Sequence, residues 1–228
     1  MQRFIGGVDI FHEVPYNYGV FLLNVRVFTG GSFMRELADA IRTYGRGIGK
    51  DIVKVDMFLN HRIDTGLLYR MGEALAEHFL PERPTMVLTV EASGIAIAIA
   101  AAHALGDLPV VFAKKSAAVN QSGDMAQASV YSFTHKCENH ILVDRRYIPI
   151  GSRVLIVDDF LADGNAVRGM MDIVHQLGGK TVGVGIAIEK GFQDGGKTLR
   201  QMGVNLMSLA IVSGIEDGKI LLAEDGSI

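Results

Sequence analysis

Apolar positions along the chain fall into two alternating rhythms. Residues 35–43 repeat at helical spacing. Residues 64–79 do so more strongly: Leu67, Leu68, Met71, Leu75 and Phe79 share one face, Asp64 or Thr65 can cap the segment, and Pro81 and Pro84 end it. Residues 95–105, 165–177 and 197–202 are the further predicted helices. Between them lie short, predominantly apolar runs at 86–90, 110–113, 153–157, 181–188 and 206–212, each predicted as a strand. Strands apolar on both faces and separated by helices imply an α/β fold on a parallel sheet covered on both sides. Ligands of such sheets bind at the carboxyl ends of the strands. Two stretches break the rhythm. Gly45, Gly47 and Gly49 form a breaker cluster ahead of residues 51–56, which alternate like a half-buried strand. Residues 115–151 form a long insertion, small and polar over 116–127 and alternating like a hairpin over 128–147; such an insertion is expected to be a lid.

Composition narrows the class. With 228 residues, 49% hydrophobic and 21% charged, the chain can bury one α/β core and is not intrinsically disordered. A net charge of -3 offers no bulk attraction to nucleic acid or an anionic membrane and leaves room for a local basic site. Cys137 is the sole cysteine, which excludes an intramolecular disulfide and a Cys-rich zinc module and points to a cytoplasmic location. No run reaches the ~18 apolar residues of a membrane span, and residues 94–105, the most apolar helical stretch, read as a buried helix. Residues 1–33 carry Asp9, His12 and Glu13 and lack a basic start and a small-residue cleavage site, so they make a poor signal peptide. Gly30, Gly31 and Ser32 read like a translated ribosome-binding stretch, and a good amphipathic helix starts at Met34. The expectation is a domain over 34–228 preceded by an extension, 1–33, that N-terminal sequencing of the native protein would find absent.

The segment VLIVDDFLADGNAV, residues 154–167, carries the densest chemistry. Asp158 and Asp159 end an apolar strand, where two adjacent carboxylates call for a cationic or hydroxyl-rich ligand. Ala162, Asp163, Gly164, Asn165 and Ala166 then offer backbone N–H groups at a helix start, a setting that binds phosphate. Together they suit a phosphorylated sugar, its hydroxyls on the acids and its phosphate in the loop. The plainer alternative is a turn with Asp163 as helix N-cap. At Glu91-Ala92-Ser93-Gly94, small residues between a strand and a helix would admit a pyrophosphate, or Ser93 would simply cap the helix. Lys114 and Lys115 suit pyrophosphate neutralisation or a wet strand edge. Lys190 alone reads as a solvated charge, and Asn60 as a turn residue. The histidines show no metal-ligand spacing, Cys137 has no base in recognisable register, and Met57, Met71, Met170 and Met171 read as core filler.

The 154–167 segment resembles the phosphoribosyl-pyrophosphate (PRPP) signature of type I phosphoribosyltransferases. It departs from the usual T-G-x-T loop in that Asp163 and Ala166 hold the threonine positions. From residue 34 to near the C-terminus the chain is similar to bacterial salvage xanthine phosphoribosyltransferases, through VKVDMFLNHRID (53–64), EASGI (91–95), ASVYSFT (128–134), the acid-pair segment and IEKGF (188–192). That family's phosphate loop also lacks the threonines, and typically reads ANGQA. The resemblance implies a type I fold with a small base-binding hood and a flexible hairpin lid. It places Val53, Asn60 and Lys190 at the purine, Ala162 to Ala166 at the PRPP phosphate, Ala92, Ser93 and Gly94 at the pyrophosphate, where the charges of Lys114 and Lys115 also fit, and Asp158 and Asp159 at the ribose. Asp163 is expected to point away from the phosphate. The implied reaction joins xanthine to PRPP in purine salvage to give xanthosine monophosphate (XMP), with magnesium bound through PRPP rather than by direct ligation, in a homodimer. The alternatives are a PRPP-sensing regulator, for which only residues 1–33 could supply a DNA-binding module, and a preference for hypoxanthine or guanine.

Overall fold

The computed structural model describes residues 34–116, 124–132 and 137–223, so the proposed extension, the 117–123 stretch and residues 133 and 134 of the expected lid lie outside the described residues. The elements in chain order are α1 (Arg35–Tyr44), β1 (Arg46–Ile48), β2 (Ile52–Lys54), a π-helical turn (Asp56–Asn60), α2 (Thr65–Phe79), β3 (Met86–Val90), α3 (Gly94–Ala104) and β4 (Val110–Ser116). There follow β5 (Met125–Ser132), β6 (Cys137–Asp144), β7 (Arg153–Leu161), α4 (Asn165–Gln176), β8 (Lys180–Lys190), α5 (Gly195–Gln201), β9 (Leu206–Glu216) and β10 (Lys219–Leu222).

Among the described residues, eight strands form one sheet in the order β10-β9-β8-β7-β3-β4-β6-β5. Strands β9, β8, β7, β3 and β4 run parallel, as their two-faced apolar pattern predicts, and β10, β6 and β5 add antiparallel edges. One core joins α1, α2 and α3 to one face, with Leu67, Met71, Leu75 and Phe79 buried as expected. The other packs α4 and the base of the β5–β6 hairpin on the opposite face. Helix α2 starts where the Asp64 carboxylate accepts from the Leu67 N–H at 3.0 Å. No helix of the described residues is long and apolar enough to cross a membrane.

Four expectations need correction. Gly47 lies within a strand, paired with Val53, because a Cβ there would stand 2.3 Å from Ile215 Cγ2; the glycine admits the β1–β2 hairpin against β9. Strand β7 runs on to Leu161, so the acid pair is inside it, held by pairing with β8. The last strand likewise continues to Glu216 and turns back as β10. Met57 is exposed and is no core filler, since it sits on the outer side of the π-helical turn.

Candidate active site

Strand β7 runs between β3 and β8, which carries the acid pair into the middle of the sheet. Asp158 is 5% exposed and accepts from the Asp159 N–H at 2.9 Å. Burial first, then the neighbouring Asp159 charge, pushes the Asp158 carboxyl well above the usual carboxylate range; the Lys115 ammonium pulls the other way. Gly94 makes room for this carboxylate, since a Cβ would lie 2.7 Å from Asp158 Oδ1 and 2.2 Å from Thr89 Oγ1. That buried Thr89 hydroxyl has no hydrogen-bond partner among the described residues.

The loop beyond β7 turns on Gly164, whose φ of 77° is left-handed and favours glycine. Gly164 occupies the N-cap position of α4 with no side-chain cap, so Asp163 is not the cap. Beneath the loop, the Gly195 N–H donates to the Ala162 carbonyl at 3.1 Å, and a Cβ at Gly195 would stand 2.6 Å from Gly164 N. Asn165 Oδ1 accepts from the Arg168 guanidinium at 2.5 Å. A cavity of about 220 Å³ opens beside this first turn of α4, lined by Asn165, Arg168, Asp172 and, from the hairpin, Ser129.

Lys190 ends β8 half-buried. Its Nζ donates to the Asp51 carbonyl at 2.8 Å and lies 5.8 Å from the centre of the Phe160 ring. Burial lowers its pKa, and the charges of Asp51, Asp163 and Asp159 oppose that, in this order. The ammonium therefore stands where the β1–β2 hairpin, the loop and the acid pair converge. Val53 is buried in the hairpin beside Gly47, and Asn60 is exposed at the end of the π-helical turn.

On the other flank the Glu91–Ala92 peptide is cis and Ser93 stands at the N-cap of α3 without a side-chain cap bond. The plain capping alternative for Ser93 is therefore not what the structure has. The Glu91 carboxylate accepts from the Lys115 N–H at 2.6 Å, which ties the turn to β4. Both lysines are exposed; Lys115 acts on Asp158, whereas Lys114, next along the strand, projects to the opposite face of the sheet.

A buried polar cluster escaped the sequence reading. Glu189, 1% exposed, takes a bidentate contact from Arg200 at 2.7 and 2.8 Å and accepts a hydrogen bond from the Ser208 hydroxyl. The Arg200 pKa is raised by this pairing. The signal that could have found it is a carboxylate inside an apolar strand, which must have a partner. Arg168 had no such signal.

A family model described as a phosphoribosyl transferase domain matches residues 65–208. The chain belongs to the phosphoribosyltransferase family. A xanthine phosphoribosyltransferase of Heliobacterium modesticaldum is 50% identical over 190 residues, 83% of this chain and 100% of that protein. One of Bifidobacterium longum subsp. infantis is 47% identical over 189 residues, 82% of this chain and 98% of the other. Among solved structures, the adenine phosphoribosyltransferase from Rhodothermus marinus matches with a TM-score of 0.64 at 24% identity, covering 78% of this chain and 99% of that one. The mostly parallel sheet with its helices is thus the type I phosphoribosyltransferase fold, and the acid pair and glycine loop fall inside the matched segment.

Proposed function

We propose that this chain is a xanthine phosphoribosyltransferase, a pentosyltransferase that joins xanthine to PRPP in purine salvage and releases XMP and pyrophosphate. The observation that carries the reading is the meeting, at one end of the parallel sheet, of the acid pair, the glycine loop and the Lys190 ammonium. The xanthine-named relatives, matched over nearly their full length, support the choice of base.

In the reaction the bond from ribose C1 to the pyrophosphate oxygen breaks, positive charge spreads over C1 and the ring oxygen, and a nitrogen of the base closes on C1 as its N–H proton passes to solvent or to the departing pyrophosphate. Asp158 and Asp159 hold the ribose hydroxyls. Backbone N–H groups from Ala162 to Ala166 take the 5-phosphate, with Asn165, in place of the absent threonine hydroxyls. On the leaving side, Ala92, Ser93 and Gly94 present backbone to the pyrophosphate and Lys115 supplies charge; Lys114 contributes at longer range. Lys190 and Asn60 donate to the oxo groups of xanthine, and Val53 closes the hydrophobic side of the base pocket. The hairpin strand over residues 128–132 shuts out water that would hydrolyse PRPP.

Magnesium keeps most of its waters and would be carried by the PRPP phosphates and ribose hydroxyls, with Asp158 and Asp159 meeting it through those waters rather than as direct ligands. When bound, magnesium supplies charge to the departing pyrophosphate. Phosphorylated substrates and a single cysteine support a cytoplasmic location. The exposed Tyr69, Ile99 and Phe112 offer apolar surface for a homodimer, which sedimentation equilibrium would test.

A spectrophotometric assay with PRPP, magnesium and each of four purine bases at equal concentration tests the assignment. Xanthine should be consumed fastest. PRPP binding without turnover would make the chain a sensor, and faster use of hypoxanthine or guanine would change the substrate.

A further inference from the structure

We propose that Arg200 is a positioning residue for the phosphate loop and acts through Glu189. The inference rests on the phosphoribosyltransferase reading of that loop. Arg200 lies in the last turn of α5, and its two guanidinium nitrogens grip both oxygens of Glu189. Glu189 is buried on β8, directly opposite Leu161, the residue before the loop. The first turn of α5 is pressed between this ion pair and the loop. A Cβ at Gly196 would stand 1.8 Å from Glu189 Oε1, and one at Gly195 would stand 2.2 Å from the Ala162 carbonyl oxygen. The Gly195 N–H donates to that same carbonyl at 3.1 Å.

The path is therefore contiguous: Arg200 to Glu189, Glu189 to Gly196, Gly195 to Ala162 and Gly164. At Gly195 and Gly196 there is no room for a side chain between the α5 backbone and its neighbours, the loop backbone on one side and the Glu189 carboxylate on the other. Releasing Arg200 frees α5 from β8 and lets the floor of the loop shift. Lys190 stays in place, since Gly191 N–H donates to the Val212 carbonyl at 2.8 Å and Lys190 itself holds Asp51. The consequence is selective: PRPP recognition suffers and base recognition does not. A mispositioning of about 1 Å is enough to lose on the order of 10²-fold in rate or affinity.

The test compares wild type with Arg200→Met, Arg200→Lys and the charge-neutral double variant Glu189→Gln/Arg200→Met, in which no carboxylate is left unpaired in the core. Folding is checked by circular dichroism and melting temperature, then KM for PRPP, KM for xanthine, kcat and direct calorimetric PRPP binding are measured. The expected result is a PRPP KM and Kd raised about tenfold or more in the two Met variants, less in the lysine variant, with the xanthine KM within about twofold of wild type. Folded Met variants with wild-type PRPP KM and Kd would overturn the proposal. So would equal losses for both substrates, or a failure of all three variants to fold, because either outcome makes the ion pair merely structural. If wild type itself turns over no PRPP, the fault lies with the enzymatic assignment instead.

Discussion

Asp158 is held where a carboxylate is costly, between Gly94, Asp159 and an unpartnered threonine hydroxyl. Because its folded pKa is raised, its favourable contribution to folding is complete below the ordinary value of 3.8 and is lost as pH rises through the elevated one. Urea unfolding of the ligand-free protein from acid to neutral pH should therefore show a loss of stability that Asp158→Asn abolishes. The same substitution keeps the oxygen that accepts from the Asp159 N–H, so the variant should be at least as stable as wild type at neutral pH. It should nevertheless lose on the order of 10²-fold in kcat/KM for PRPP. A site residue that weakens the empty fold is the usual sign of a group positioned for a ligand.

At the scale of elements, α2 docks on β8 through a groove cut by glycine. A Cβ at Gly183 would stand 2.3 Å from Phe79 Cε1, and one at Gly185 would stand 2.9 Å from Leu75 Cδ2. Gly183→Ala should thus lower stability by about 1–3 kcal/mol in urea titration while leaving KM values near wild type, since the strain falls far from the loop. Helix α2 was legible because its buried positions repeat at 3.6 residues and its ends carry Asp64 and proline, whereas α3 was legible as an unbroken apolar stretch. The end of β7 was not: Asp158, Phe160 and Leu161 extend the strand only because Ile186, Ile188 and Glu189 wait across from them, a distant pairing that local hydrophobicity does not encode. The acid pair and glycine loop stood out by chemistry, the first as two carboxylates in an apolar strand and the second as a glycine-containing turn into a helix. The Glu189–Arg200 pair could not be assigned from spacing, because the partners sit on different elements and only folding brings them together.

Among the described residues the eight-stranded sheet carries two cores, and the residues proposed to bind ligand lie on or beside β3, β4, β7 and β8 and on the separate β1–β2 hairpin. Ligand binding should therefore stabilise the fold as a unit. With PRPP and magnesium at a hundredfold excess over Kd, unfolding should become harder by about 2.7 kcal/mol, read as a shift of the whole melting transition with no separate phase. The bond from Lys190 to the Asp51 carbonyl occupies one of the three ammonium donors and fixes where the other two stand. A purine oxo group proposed to bind there adds a bond to a charged donor already held in position. Such a bond contributes about 1.5 kcal/mol net. Lys190→Ala should then reduce the ratio of kcat/KM for xanthine over hypoxanthine by roughly tenfold rather than erase it. Base selection is then spread over several modest contacts, and the Asp51 carbonyl serves it from outside by keeping the Lys190 ammonium from wandering.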